Sequence, residues 1–289
     1  MKIEKARHTG FCFGVRRAID LAEKAAAERH GLDTLGAIVH NRQVLEHLAR
    51  FGIRAVNDID DIRGKAVVIS SHGISPQRAE AIRSRQIDII DTTCPFVHRA
   101  QLAARRLAKA GFFVAVYGEA EHPEVKGILG WAQDKGIATM DVQVVASLDP
   151  LPRRIGLLSQ TTQTPEQFAE FAKKLIDVAF TQNSELHIID TICHDIRARQ
   201  AEAVKLARKV DLMLVVGGRS SANTNHLAQL CARLTETHLV ETAAEIQPSW
   251  LEGKRHIGIV SGASTDETTV NEVVAKLEEM NQSGANLKR

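Results

Sequence analysis

Val15, Ala18, Ile19, Ala22 and Ala26 set small and apolar side chains three and four residues apart, which predicts a helix over residues 13 to 30 with Gly31 as its stop. Short apolar runs punctuate the rest of the chain: LGAIV, AVVISS, FFVAVYG, IGLLSQTT, DLMLVVGG and HIGIVSGAS. Each has the length of a strand buried on both faces, and LGAIV is predicted to deliver His40 at its end. Helical periodicity fills the intervals, at about 43 to 51, 75 to 83, 96 to 109, 125 to 133, 165 to 179, 195 to 209, 225 to 234 and 266 to 280. Ser75-Pro76 makes a good cap and first-turn pair. Residues 281 to 289 read as a flexible tail. Strands alternating with helices predict an α/β fold with parallel sheets.

The pattern also repeats. Ile89-Ile90-Asp91-Thr92-Thr93-Cys94 returns almost letter for letter as Ile188-Ile189-Asp190-Thr191-Ile192-Cys193. The same shift of 99 residues aligns Gln101 with Gln200, Leu107 with Leu206, Ala108 with Ala207, Val116 with Val215 and Gly118 with Gly217. A more divergent copy stands at the N-terminus, where Cys12 precedes the first helix. His40, His122 and Ser221 lie at one interval, 28 residues, beyond Cys12, Cys94 and Cys193. Farther on, each copy carries a strand with a polar end, at His72, Thr161 and Ser264. Three α/β units follow, at 1–93, 94–192 and 193–280, in a pseudo-threefold trefoil with the three cysteines at its centre.

Charge narrows the possibilities. The 37 Lys and Arg nearly balance 35 Asp and Glu, so no nucleic-acid surface or polybasic membrane contact is expected. No apolar run reaches the roughly 18 residues of a membrane span, and MKIEKARHTGFCFG lacks the apolar segment of a signal peptide. A cytoplasmic protein is the expectation. Its four cysteines are then expected reduced, and point to metal or catalysis before disulfides.

A single cysteine is usually a small buried hydrophobe, and Cys231, inside LAQLCARL with no repeat partner, is read so. Cys12, Cys94 and Cys193 differ, because each falls between a strand and a helix and the repeat brings them together. Three thiolates without CxxC pairs suit a cubane iron-sulfur cluster with one iron left open. His40, His72, His122, Ser221, Asn223 and Ser264 form a neutral-to-cationic set of donors suited to a phosphate or diphosphate at helix N-termini. Taken singly, each could be a satisfied loop residue. Glu124 is the one acid in the set, hence a proton source or a solvated first-turn carboxylate; Thr161 positions a hydroxyl, relays a proton or caps a helix.

GFCFGVRRAI, VHN, SSHGIS, TTCP, HPEVKG, SQTT, DTIC, the SSAN loop and SGAS together resemble the 4-hydroxy-3-methylbut-2-enyl diphosphate reductase family of the non-mevalonate isoprenoid pathway, in order from Cys12 to Ser264. The resemblance implies a 4Fe-4S cluster on Cys12, Cys94 and Cys193. It implies a diphosphate cradle of His40, His72, His122, Ser221, Asn223 and Ser264, with Thr161 touching the substrate hydroxyl and Glu124 supplying protons. The reductant is expected to be ferredoxin or flavodoxin, since no flavin or nicotinamide motif is present.

Two positions depart from that family's pattern. Ala222 stands where many members have a second serine, and Glu121 replaces the glycine often found before the histidine of HPE. Two other classes are weighed against the first. An iron-sulfur lyase of similar repeats would need Arg or Lys for dicarboxylates, and among the recurring loops only Arg219 offers one. An iron-sulfur sensor would not need the histidines, serines and Glu124, and would usually bring a charged partner surface.

Overall fold

The structure is a computed structural model that describes residues 1–29 and 31–286. Strand β1 (Lys2–Lys5) leads to helix α1 (Phe13–Arg29), followed by β2 (Leu32–Leu35), α2 (Arg42–Arg50), β3 (Ile53–Val56), β4 (Ala66–Ile69), α3 (Pro76–Arg83) and β5 (Asp88–Asp91). Next come α4 (Pro95–Lys109), β6 (Phe113–Tyr117), α5 (Pro123–Trp131), β7 (Gly136–Thr139), α6 (Val142–Ala146), β8 (Arg154–Ser159), α7 (Pro165–Thr181) and β9 (Glu185–Ile188). The chain closes with α8 (His194–Ala207), β10 (Leu212–Val216), α9 (Ala222–Ala232), β11 (Glu236–Val240), β12 (His256–Ser261) and α10 (Glu267–Asn286).

These strands form three sheets of four, all parallel, in the orders β3-β2-β4-β5, β7-β6-β8-β9 and β11-β10-β12-β1. The α/β class and its repetition are therefore as the pattern predicts. The central strands β4, β6, β8, β10 and β12 are buried along nearly their whole length, which is why they read as unbroken apolar runs. The edge strands β1 (KIEK), β5 (DIID) and β9 (ELHI) carry charge at their ends, which blunts pairing with another chain. Each of these three edges is also the strand that runs into a cysteine. β1 pairs with β12, so the N-terminal strand completes the sheet of the third repeat.

By packing, the chain separates into two compact units: Met1–Arg16, Val39–His47 and His194–Arg289 in one, Arg17–Ile38 and Leu48–Cys193 in the other. The first holds the sheet containing β1, whose core includes Met213, Val215, Leu227 and Cys231 on one face and Leu214, Val216, Ile259 and Val270 on the other. The second holds the other two sheets. In it, the alanine-rich face of α4 packs with Val114, Val116, Ile128 and Leu158, and Phe168 and Phe171 of α7 pack with Tyr117 and Leu157.

Three expectations are corrected. LGAIV is not the strand that precedes His40; LDTL is, as β2. Gly36 turns left-handed at φ 75°, ending the strand, and the loop buries Ile38 and Val39 as an apolar run outside any sheet. The helix expected from 225 begins at Ala222, so Asn223 lies in its first turn. The last helix runs through Asn286 instead of ending near 280, while 287–289 of the expected tail, like His30 at the end of the first expected helix, lie outside the described residues.

Candidate active site

The repeated I-I-D-T-x-C motif is a device for presenting a cysteine. Asp91 Oδ1 accepts from Thr93 N–H at 2.9 Å, and Asp190 Oδ1 from Ile192 N–H at 3.0 Å, the same turn in both copies. The buried threonine between them ties the segment to the central strand: Thr92 Oγ1 donates to Ile69 O at 2.5 Å, and Thr191 Oγ1 accepts from Ser159 N–H at 2.9 Å. The cysteine N–H then donates to a carbonyl two residues past that strand, Cys94 to Ser71 O and Cys193 to Thr161 O, both at 3.0 Å. Cys12 does the same to Ala263 O at 2.9 Å. In that copy a glycine replaces the Asp-Thr turn: Gly10 sits at φ 76° and donates its N–H to Ser261 Oγ at 3.1 Å.

Each of these cysteines stands immediately before a helix or one residue short of it. Cys94 occupies the N-cap of α4, Cys193 precedes α8, and Val15 N–H approaches Cys12 Sγ at 3.4 Å in α1. Free N–H groups at a helix start favour the thiolate. Cys231 lies fully buried in the apolar core, where burial pushes its thiol up to about 12, so the inert reading holds for it.

In the larger unit, His122 caps α5, and its Nδ1 accepts from Glu124 N–H at 3.2 Å, so the ring proton sits on Nε2. The His72 ring meets the His122 ring edge to face at 5.2 Å. Glu124, 2 % exposed, receives both Thr161 N–H at 2.6 Å and Thr161 Oγ1 at 2.8 Å. Burial drives its carboxyl up to about 7, and the two bonds from Thr161 work against that rise. Thr161 thus joins an acid to a cysteine, because its carbonyl holds Cys193 N–H. Gln160, fully buried just before it, accepts Glu119 N–H at 3.1 Å and so fastens the loop ahead of His122.

In the other unit, Ser221 is the N-cap of α9, accepting Thr224 N–H, and Asn223 follows in the first turn. Both amide atoms of Asn223 are buried with no partner among the described residues, as are Ser264 Oγ and Thr224 Oγ1. Such groups cost about 1–3 kcal/mol each when nothing satisfies them. His40 belongs to the same unit: its carbonyl lies 2.6 Å from where a Cβ on Gly218 would stand, so only glycine fits there. Asn41 Nδ2 donates to Ser264 O at 2.9 Å while its Oδ1 receives Gln43 N–H at 2.9 Å, locking His40's neighbour to the Ser264 loop.

Every sequence-predicted residue lies at or just beyond the end of a strand, or at the start of a helix: Cys94, Cys193, His72, His122, Glu124 and Thr161 in one unit, Cys12, His40, Ser221, Asn223 and Ser264 in the other. Asn41, which locks the His40 loop, and Thr224, buried in the first turn of α9, are not among the candidates read from the sequence. The N-cap position of Asn41 before RQVLEHL was a readable signal; the burial of Thr224 was not. Ala222 leaves its helix-start N–H in place of a serine hydroxyl. Glu121 is exposed, pairs with Lys126 at 2.7 Å and has no positive φ, so the turn before His122 forms without glycine. Arg219, the one cation in the recurring loops, is engaged by Glu241 through its N–H and by Glu245 through its guanidinium.

Comparison with known proteins agrees with this geometry. The profile described as LytB protein matches residues 3–278. The 4-hydroxy-3-methylbut-2-enyl diphosphate reductase of Dehalococcoides mccartyi (strain CBDB1) is 56 % identical over 280 residues, 97 % of this chain and 99 % of that protein. The enzyme of the same name from Pelobacter propionicus is 40 % identical over 283 residues, covering 98 % and 99 %. Among solved structures, the E-1-hydroxy-2-methyl-but-2-enyl-4-diphosphate reductase of Plasmodium falciparum superposes with a TM-score of 0.89 at 28 % identity, over 95 % of this chain and 87 % of that one. A second, (E)-4-hydroxy-3-methyl-but-2-enyl diphosphate reductase, gives 0.70 at 36 % identity, over 96 % and 100 %. With the family model matched over residues 3–278 and a relative 56 % identical along 97 % of it, the chain belongs to the LytB protein family.

Proposed function

We propose that this chain reduces (E)-4-hydroxy-3-methylbut-2-enyl diphosphate to isopentenyl and dimethylallyl diphosphate, consuming two electrons and two protons and releasing water. The observation that carries the reading is Asn223, whose amide is 4 % exposed with both polar atoms unpartnered among the described residues, at the start of α9. A buried amide offering a donor and an acceptor at a positive helix end suits a partly protonated diphosphate.

Cys12, Cys94 and Cys193 would hold a four-iron four-sulfur cluster. Three helix-start thiols, each with its N–H tied to a loop carbonyl, fit that group, and the apolar burial of Cys231 leaves no fourth thiol ligand. When bound, the cluster would supply electrons one at a time and a Lewis acid for the substrate oxygen. The electrons come from a small carrier such as ferredoxin or flavodoxin.

The residues of the chain do the rest. Asn223, Ser221 and Ser264 bind the diphosphate together with His40, His72 and His122, and with N–H groups of α9 in place of the hydroxyl absent at Ala222. Glu124 holds a proton up to about pH 7 because its pocket excludes water. Thr161 Oγ1 donates to Glu124 Oε2 at 2.8 Å in the charged form; with Glu124 protonated the bond turns round, the hydroxyl accepts from the acid and donates its own proton onward. Thr161 also contacts the substrate hydroxyl, so the proton reaches the oxygen that leaves as water. No helix of the described residues is long and apolar enough to cross a membrane.

The test is anaerobic. The reconstituted protein should bind about four irons, turn over the hydroxymethylbutenyl diphosphate with a strong reductant, and be inhibited competitively by inorganic diphosphate. Cys94→Ser should lose cluster iron and all turnover; a variant with full iron and normal rate would remove Cys94 as a ligand, and absence of competition would remove the cradle.

A further inference from the structure

In the unit built on β1 and β12, residues 7 to 12 form no strand, yet they deliver Cys12. Side chains hold them in place. Glu202 on α8 accepts Arg7 N–H at 2.6 Å and His8 N–H at 3.0 Å, and Arg199, one turn earlier on α8, donates Nη1–H to His8 O at 3.1 Å. Arg199 is 5 % exposed, which is rare for a cation, and its Nε pairs with Asp195 at 2.7 Å. α8 begins directly after Cys193, so one helix start carries a cysteine while the same helix's next turns grip the loop of another.

The arrangement recurs in the other unit. Arg17, on the helix that follows Cys12, donates Nη1–H to the carbonyl of Thr93 at 3.2 Å, the residue just before Cys94. A guanidinium is suited to this task, because its planar fork serves a carboxylate and a carbonyl from one rigid group. A buried fork that fixes a ligand-bearing loop acts on the metal through the loop, as outer partners of metal ligands generally do.

We propose that Arg199 is a positioning residue for Cys12, holding the His8–Cys12 segment so that the thiolate retains its iron, and that with Arg17 it ties helices following one cysteine to the peptide leading to another. The inference rests on the cluster assigned to Cys12, Cys94 and Cys193. Its effect is expected on cluster retention rather than on the fold, since Asp195 lies in the first turn of α8, where the helix dipole favours a carboxylate, and is partly exposed.

The experiment follows iron release from the reconstituted protein to a chelator, under anaerobic conditions, with the EPR spectrum of the reduced cluster recorded alongside. Arg199→Met should release iron on the order of 10- to 100-fold faster than the wild type and shift the EPR spectrum. Arg54→Met is the control for general softening, since Arg54 makes a two-pronged pair with buried Asp33 on β2 and β3, strands that lead to no cysteine; it should release iron at the wild-type rate. Equal rates and spectra for Arg199→Met and wild type would overturn the proposal, as would equally fast loss from Arg54→Met. Should Arg199→Met fail to fold, Arg199→Lys keeps a cation beside Asp195 without the fork, and a wild-type release rate there overturns the proposal equally. A wild-type protein that takes up no cluster would instead overturn the cluster assignment.

Discussion

Glu124 and Asn223 occupy the same place in successive repeats, the second residue of α5 and of α9, after the N-caps His122 and Ser221. Their surroundings are opposite. Glu124 is closed by Thr161, which lies two residues past β8 and gives it both N–H and hydroxyl. The matching position two residues past β12 is Ala263, which has no hydroxyl to give, and Asn223 is left with both amide atoms unpartnered among the described residues. One backbone plan therefore yields a carboxyl whose hydrogen bonds are made within the protein, and an amide with none among the described residues. The difference turns on two side chains per repeat.

Glu124→Gln tests the carboxyl and should have the largest effect. Glutamine fits the pocket but holds no exchangeable acidic proton, so kcat should fall by roughly 10²- to 10⁴-fold while KM and inhibition by diphosphate stay near wild type. Steady-state kinetics under strong reductant would show it. A variant with unchanged kcat would make Glu124 a structural carboxylate, and the contrast with Asn223 would lose its meaning.

Asn223→Ala tests the amide from the other side, and the expected effect is smaller. Losing hydrogen bonds to a charged diphosphate costs about 1.5–3 kcal/mol, or roughly a 10- to 100-fold rise in KM with kcat little changed. The protein without ligand should be no less stable to urea, and slightly more so if anything, because an unsatisfied buried amide is removed. A stability loss with unchanged KM would mean that Asn223 serves the fold.

Much of this was legible in the chain because the repeat constrains it twice. I-I-D-T-x-C recurs since its Asp, Thr and Cys each make a specific backbone bond, and the interval from cysteine to helix cap is fixed by the strand between them. LGAIV misled because burial, which makes an apolar run, is not confined to sheets: Gly36 breaks the strand and Ile38 stays buried beyond it. Asn223 was expected in a loop because Asn and Ser favour turns, whereas Ser221 uses its side chain to start α9 one residue ahead of Ala222. The pairing of Arg199 with Asp195 is local, but its hold on the cysteine loop is not, since its partner carbonyl at His8 is 191 residues away. Nor could the burial of Glu124, which sets its titration, be read from HPEVKG.

That titration gives the smallest and most exacting test. The folded carboxyl of Glu124 sits at about 7, above its ordinary value of 4.5, so between those limits the folded state binds the extra proton. Its contribution to stability is fully present below pH 4.5 and is lost as pH rises through 7, for a total of about 3 kcal/mol by linkage. Urea melts of the cluster-free protein from pH 5 to 8 should therefore show stability falling with pH, and Glu124→Gln should remove that slope. Thr161→Val deletes the hydroxyl bond, which favours the charged form, while keeping the backbone one. Its loss raises the carboxyl further, so the falling limb should extend to higher pH than in the wild type. If Thr161→Val and wild type trace one curve, the hydroxyl does not reach the acid, and Glu124 is held from this side by the Thr161 N–H alone.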